Sequence, residues 1–126
     1  MGDHTVLVVE DDSSIRALIA EVLDEAGYTV LLANHGQRGL HLAQDCVPSV
    51  VLVNQRLPDM SGLEVLERLR CRPATRHISV VLMSGRSQQL ADGTPGADRV
   101  LPMPFDIDVL LGHVDELVMS SVGSVA

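Results

Sequence analysis

Apolar residues along the chain fall into short continuous runs and into segments where they recur every three or four positions, which predicts strands alternating with helices. Val6 to Val9 is a run suited to a strand covered on both faces, and it stops at Glu10-Asp11-Asp12. A helix follows, capped by Asp12 or Ser13, with Ile15, Leu18, Ile19, Val22, Leu23 and Ala26 at helical spacing and Gly27 at its end. Tyr28 to Leu32 reads as a second strand and Gln37 to Asp45 as a weaker helix, since Gly36 and Gly39 lower its helical preference. Val50 to Val53 is the most strand-like run, and Asn54 to Gly62 is a turn-rich loop leading into a helix from Leu63 to Arg70.

Ile78 to Met83 gives a fourth strand and Val100-Leu101 a short fifth. Asp106 opens a last helix with Ile107, Leu110, Leu111, Val114, Leu117 and Val118 on its apolar face. Between the fourth and fifth strands, Ser87 to Gly96 carries Gly93, Pro95 and Gly96, which predicts a shortened or irregular helix. Strands and helices alternating across short connections imply one α/β domain over residues 1–126, flavodoxin-like, with a doubly wound five-stranded parallel sheet. Residues 120–126 read as a flexible tail or the start of a linker.

Such folds place their sites just beyond the carboxyl ends of the strands. The positions to read are Glu10-Asp11-Asp12, Asn54, Ser84 and Pro102-Met103-Pro104. Clustered carboxylates repel one another, and a hard cation such as Mg²⁺ relieves that repulsion; acids opening a helix also cap it and complement its dipole without any metal. Three acids after the first strand would repel the phosphate of a flavin, where hydroxyls and free N–H groups are wanted, which argues against a flavodoxin-type electron carrier.

Composition narrows the classes further. A net charge of −8 and no basic stripe argue against direct contact with nucleic acid. The apolar runs are too short to span a membrane. Cys46 and Cys71 lack a metal spacing, and with no secretory signal at the start a cytoplasmic location with two reduced thiols is expected. His4, His35, His41, His77 and His113 are scattered without ligand spacing and read as surface or boundary residues.

The chain resembles the receiver domain of two-component response regulators from Thr5 to about Met119. The matching stretches are VLVVEDDSSIR (Val6 to Arg16), RLPDMSGLEVL (Arg56 to Leu66), VVLMSG (Val80 to Gly85), GAD (Gly96 to Asp98) and PFDID (Pro104 to Asp108). The resemblance implies a non-enzymatic phosphorelay module in which an acidic pair and an acceptor Asp bind Mg²⁺, a Ser or Thr contacts the phosphoryl group and a Lys pairs with it. It assigns the acidic pair to Glu10 and Asp11, with Asp11 the direct ligand, and the hydroxyl position to Ser84.

Two positions depart from that pattern. The acceptor position is Asn54, and an amide oxygen is an uncharged, poor nucleophile that cannot form the acyl phosphate. The Lys position is Met103, whose thioether cannot stabilise phosphoryl charge. The losses are consistent with each other: three carboxylates and one ammonium leave two net negative charges, and so do Glu10 and Asp11 alone. The aromatic switch position is Val100, which has no ring to rotate. Asp59 follows Pro58 and is expected to face solvent, so it is no substitute acceptor. Glu10, Asp11 and the backbone carbonyl of Arg56 are expected to hold Mg²⁺ only weakly.

The expectation is a degenerate receiver acting by protein–protein contact with a histidine kinase, phosphotransfer or output protein, or as a homodimer. The alternatives are a receiver phosphorylated on an unusual acceptor, an engineered Asn54 in a live receiver, which leaves Met103 unexplained, and a scaffold or dimerisation domain of a larger protein.

Overall fold

The valines of the first and third runs are buried on both faces, as continuous apolar strands in the middle of a covered sheet must be. The computed structural model describes residues 4–85 and 94–123. Five strands, β1 (Thr5–Val9), β2 (Thr29–Ala33), β3 (Val50–Asn54), β4 (Ser79–Gly85) and β5 (Arg99–Met103), form a parallel sheet in the order β2-β1-β3-β4-β5. The helices among the described residues are α1 (Ser13–Glu25), α2 (Gly36–Cys46), α3 (Gly62–Cys71) and α4 (Ile107–Gly123).

Successive side chains of a strand point to opposite faces, so each strand feeds two cores. Val6, Val8, Leu52, Met83 and Leu101 pack with Ile19 and Leu23 of α1 and Leu110, Val114 and Leu117 of α4. Leu7, Val9, Val51, Val53 and Leu82 pack with Ala43 of α2 and Val65, Leu66 and Leu69 of α3. The chain leaves β1 for β2 on one side and returns as β3 on the other, so strand order reverses between β1 and β3. The carboxyl ends of these two strands, at Val9 and Asn54, therefore border the cleft that this topology opens.

The flavodoxin-like doubly wound sheet expected from the sequence is present. Three elements differ in extent. β5 runs to Met103, past the two residues expected, because pairing with β4 (Ser84 opposite Pro102, Gly85 opposite Met103) carries it there; Pro is tolerated on an edge strand. α2 starts at Gly36 and keeps both glycines buried, since a Cβ at Gly39 would lie 2.7 Å from Val9 Cγ2; close packing, not propensity, selects glycine there. α4 continues through Gly123, so the start of the stretch read as a tail is helical, and residues 124–126 lie outside the described residues. Residues 87–93 of the segment expected to form a shortened helix also lie outside them. Thr94 to Ala97 form a turn in which the Ala97 N–H donates to the Thr94 carbonyl at 3.1 Å, and no helix passes through Pro95.

Arg70 ties α3 to the segment entering β5. It donates to the carbonyls of Gly96 (2.9 Å), Arg76 (2.8 Å) and Ile78 (2.6 Å) and to Asp98 Oδ2 at 3.1 Å, an oxygen that also accepts from the Val80 N–H.

Candidate functional site

Glu10 leaves the end of β1 with its side chain fully buried. Its backbone N–H donates to the Ala33 carbonyl at 3.0 Å, which ties the β1 end to the β2 end. Its carboxylate accepts from Asn54 Nδ2 at 2.9 and 3.0 Å and from the Asp12 N–H at 3.0 Å. Asn54, the last residue of β3, turns its oxygen the other way, where it accepts from the Arg56 N–H at 3.2 Å. The partners dictate this orientation of the amide, because two carboxylate oxygens require a donor and an N–H requires an acceptor. Burial pushes the Glu10 carboxyl above its usual pKa against the hydrogen bonds from Asp12 and Asn54, and the neighbouring Asp11 carboxyl pushes the same way.

The three acids have separate fates. Asp12 is the cap of α1, its Oδ1 accepting from Ser14 and Ile15 N–H at 2.9 and 3.0 Å, so the capping account of clustered acids holds for it alone. Asp11 is exposed and Glu10 faces Asn54. Ser84 is buried at the end of β4, one residue beyond the Met83 that pairs with Asn54. Val100 is half-buried in β5 opposite Leu82. Met103 packs against the core cluster shared by α1 and α4. Gly62 lets the loop after β3 fold back onto the site, since a Cβ there would sit 2.6 Å from the Asn54 carbonyl oxygen.

Asp59 is exposed, as expected, and its carboxylate is also engaged. Its carboxylate accepts from the Gly36 and Gln37 N–H groups at 2.7 and 2.9 Å and lies 3.5 Å from His35 Nδ1, joining the loop after β3 to the start of α2. Partial desolvation raises its pKa, but the N–H groups of Gln37 and Gly36 and the His35 ring outweigh this and hold it below the usual value. Sequence reasoning also missed Arg16, whose Nη1 donates to the Glu10 and Asp11 carbonyls at 2.8 and 3.4 Å; its place one turn into a helix that follows the acids was the available signal.

A model of the response regulator receiver domain matches residues 6–115. The chain belongs to this family. It is 34% identical over 116 residues to the DNA-binding dual master transcriptional regulator RpaA of Synechocystis sp., covering 90% of this chain and 48% of that protein. It is 30% identical over 121 residues to the transcriptional regulatory protein CpxR of Klebsiella pneumoniae, covering 94% and 50%. The solved response regulator receiver domain from Methylobacillus flagellatus matches with a TM-score of 0.83 and 26% identity over 92% of this chain and 99% of that one. The receiver domain protein from Methanospirillum hungatei matches with a TM-score of 0.85 and 24% identity over 98% and 99%, a likeness of fold. The receiver spans about half the length of the curated relatives it matches.

Receiver domains are phosphorelay signalling modules that generally bind Mg²⁺ at the phosphorylation site and work with histidine kinases and partner proteins. The donor set of this receiver fits that ion poorly as it is arranged. Both Glu10 oxygens are engaged, Asn54 turns a nitrogen toward them, and among the described residues no three His, Cys, Asp or Glu side chains gather into a metal-holding group. All nine basic residues of the sequence are arginine, so no lysine from another position supplies the ammonium absent at Met103. Among the described residues no helix is long and apolar enough to cross a membrane.

Proposed function

We propose that this receiver is a degenerate one, which signals through protein–protein contact without phosphorylation of an aspartate at the end of β3. The observation that carries the reading is the Asn54 amide bonded to both oxygens of the buried Glu10. An amide at the acceptor position removes the nucleophile and also fills the place of a neutralising cation with its own N–H groups. Met103 fits the same reading, because its side chain adds apolar packing to the α1 and α4 core where an ammonium would need a charged partner.

On this reading Mg²⁺ is held weakly, by Asp11 and the Arg56 carbonyl with little from Glu10, and no step depends on it. The partner is a histidine kinase, a phosphotransfer or output protein, or a second copy. The domain acts in the cytoplasm and leaves any DNA contact to other proteins or to further domains, since its own charge is −8. The receiver-like domain is read as single over residues 1–126.

The test is the melting temperature in Mg²⁺ with beryllofluoride, a mimic of an aspartyl phosphoryl group. The wild type is expected to show no shift and an Asn54→Asp, Met103→Lys variant a rise of several degrees. A rise of the same size in the wild type contradicts the proposal.

A further inference from the structure

β2 is an open edge of the sheet, paired on one side with β1. The Thr29 N–H donates to the His4 carbonyl and the Ala33 carbonyl accepts from the Glu10 N–H, each at 3.0 Å and each on the β1 side. Bonding direction alternates along a strand, so Thr29, Leu31 and Ala33 face β1, while Val30 and Leu32 turn their N–H and C=O groups off the edge.

The two edges of the sheet are not alike. β5 carries Arg99 and Pro102, a charge and a residue without an N–H, and both keep an edge from pairing further. β2 reads TVLLA, with no charge, proline or glycine, and its register with β1 runs one to one without a bulge. Leu32 is 43% exposed on it. An edge of this kind is covered by another strand.

We propose that the strand is β2 of a second copy, paired antiparallel across a two-fold axis that passes beside Leu31 normal to the sheet. This register sets Val30 opposite the partner's Leu32 and Leu32 opposite the partner's Val30, so the outward N–H and C=O groups of both strands are bonded and no residue outside β2 is needed. The same axis places α1 beside its copy. Arg16, Ala20 and Asp24 are spaced i, i+4, i+8 along α1; Arg16 borders Leu32 and Ala33 at the carboxyl end of β2, and Asp24 lies near the start of that strand. Reversal about the axis sets Arg16 opposite the partner's exposed Asp24, and small Ala20 opposite its own copy, where two helices can approach. A net charge of −8 on each copy opposes association, and the Arg16–Asp24 pairs relieve that repulsion where the copies meet. Pairing at β2 does not depend on Asn54, so a receiver phosphorylated on some other residue would dimerise in the same way, and a monomeric wild type would leave the degenerate site as it stands.

The experiment is sedimentation velocity over a range of protein concentration, with amide exchange by NMR, on the wild type and on Leu32→Lys, Asp24→Arg and Val109→Lys. Val109 is exposed on α4 and serves as the control for association through that helix. The wild type is expected to pass from monomer to dimer as concentration rises. Exchange should slow at Val30 and Leu32 over the same range and stay constant at Leu31, which bonds β1 in either state. Leu32→Lys should weaken the dimer at least about tenfold, the scale of one aliphatic side chain left uncovered, Asp24→Arg to a lesser degree, and Val109→Lys not at all. Three results overturn the proposal: a monomer at every concentration, a dimer lost in Val109→Lys but kept in Leu32→Lys, or exchange at Val30 and Leu32 that ignores concentration.

Discussion

Asn54 Nδ2 donates to both carboxylate oxygens of Glu10, at 2.9 and 3.0 Å, so the residue at the end of β3 neutralises by hydrogen bonding the buried acid at the end of β1. Asn54→Asp replaces that donor with a second carboxylate facing the first. The expected loss is about 2–4 kcal/mol at neutral pH, from a stranded buried charge. Denaturant unfolding with and without Mg²⁺ checks it. The ion is expected to restore much of the loss in the variant and to change the wild type little, since a ligand stabilises only the state that binds it.

The direction of the Glu10 shift sets a pH dependence. Its folded pKa lies above the ordinary 4.5, so its contribution is fully present below that value and is lost as pH rises through the folded one. Glu10→Gln removes this titration. Unfolding free energies of the two proteins from pH 4 to 8 should show the wild type losing ground to the variant as pH rises, and the opposite slope would contradict the burial account.

Asp59 carries the opposite sign. Its folded pKa lies below the ordinary 3.8, so its contribution is present above that value and fades as pH falls through the folded one. Asp59→Ala is expected to cost about 1 kcal/mol at pH 7, as for loss of a helix cap, and less in acid, below the folded pKa. Chemical denaturation at neutral and acid pH distinguishes this from a simple packing loss, which would persist in acid.

Arg70 tests whether a fork of donors matters more than a charge. Arg70→Lys keeps the charge but cannot reach Gly96, Arg76, Ile78 and Asp98 together, and a loss of about 1.5–3 kcal/mol is expected. Amide exchange should quicken at Val80, whose N–H shares Asp98 Oδ2 with Arg70. Unchanged protection there would show that the strand holds without the fork.

The sheet was legible in the sequence because β1 and β3 are buried on both faces and so read as unbroken apolar runs. The ends of β5 and α2 were not, because Pro102 and Gly39 contradict local propensity and sit where they do through pairing with β4 and close packing on Val9. Asn54 was found by position alone, since strand ends are where this fold builds sites. Its grip on Glu10 spans 44 residues of sequence, and that of Asp59 on Gly36 spans 23, so neither contact leaves a local pattern. Arg16 was hidden for a related reason: its partners are backbone carbonyls, which any residue would supply.

The most direct test of the degenerate site is the intact mass of the wild type and of the Asn54→Asp, Met103→Lys variant after incubation with acetyl phosphate and Mg²⁺. Only the variant is expected to gain the mass of one phosphoryl group, showing that the native residues disable an otherwise workable site. The same gain in the wild type would reveal an acceptor other than Asn54 and contradict the account.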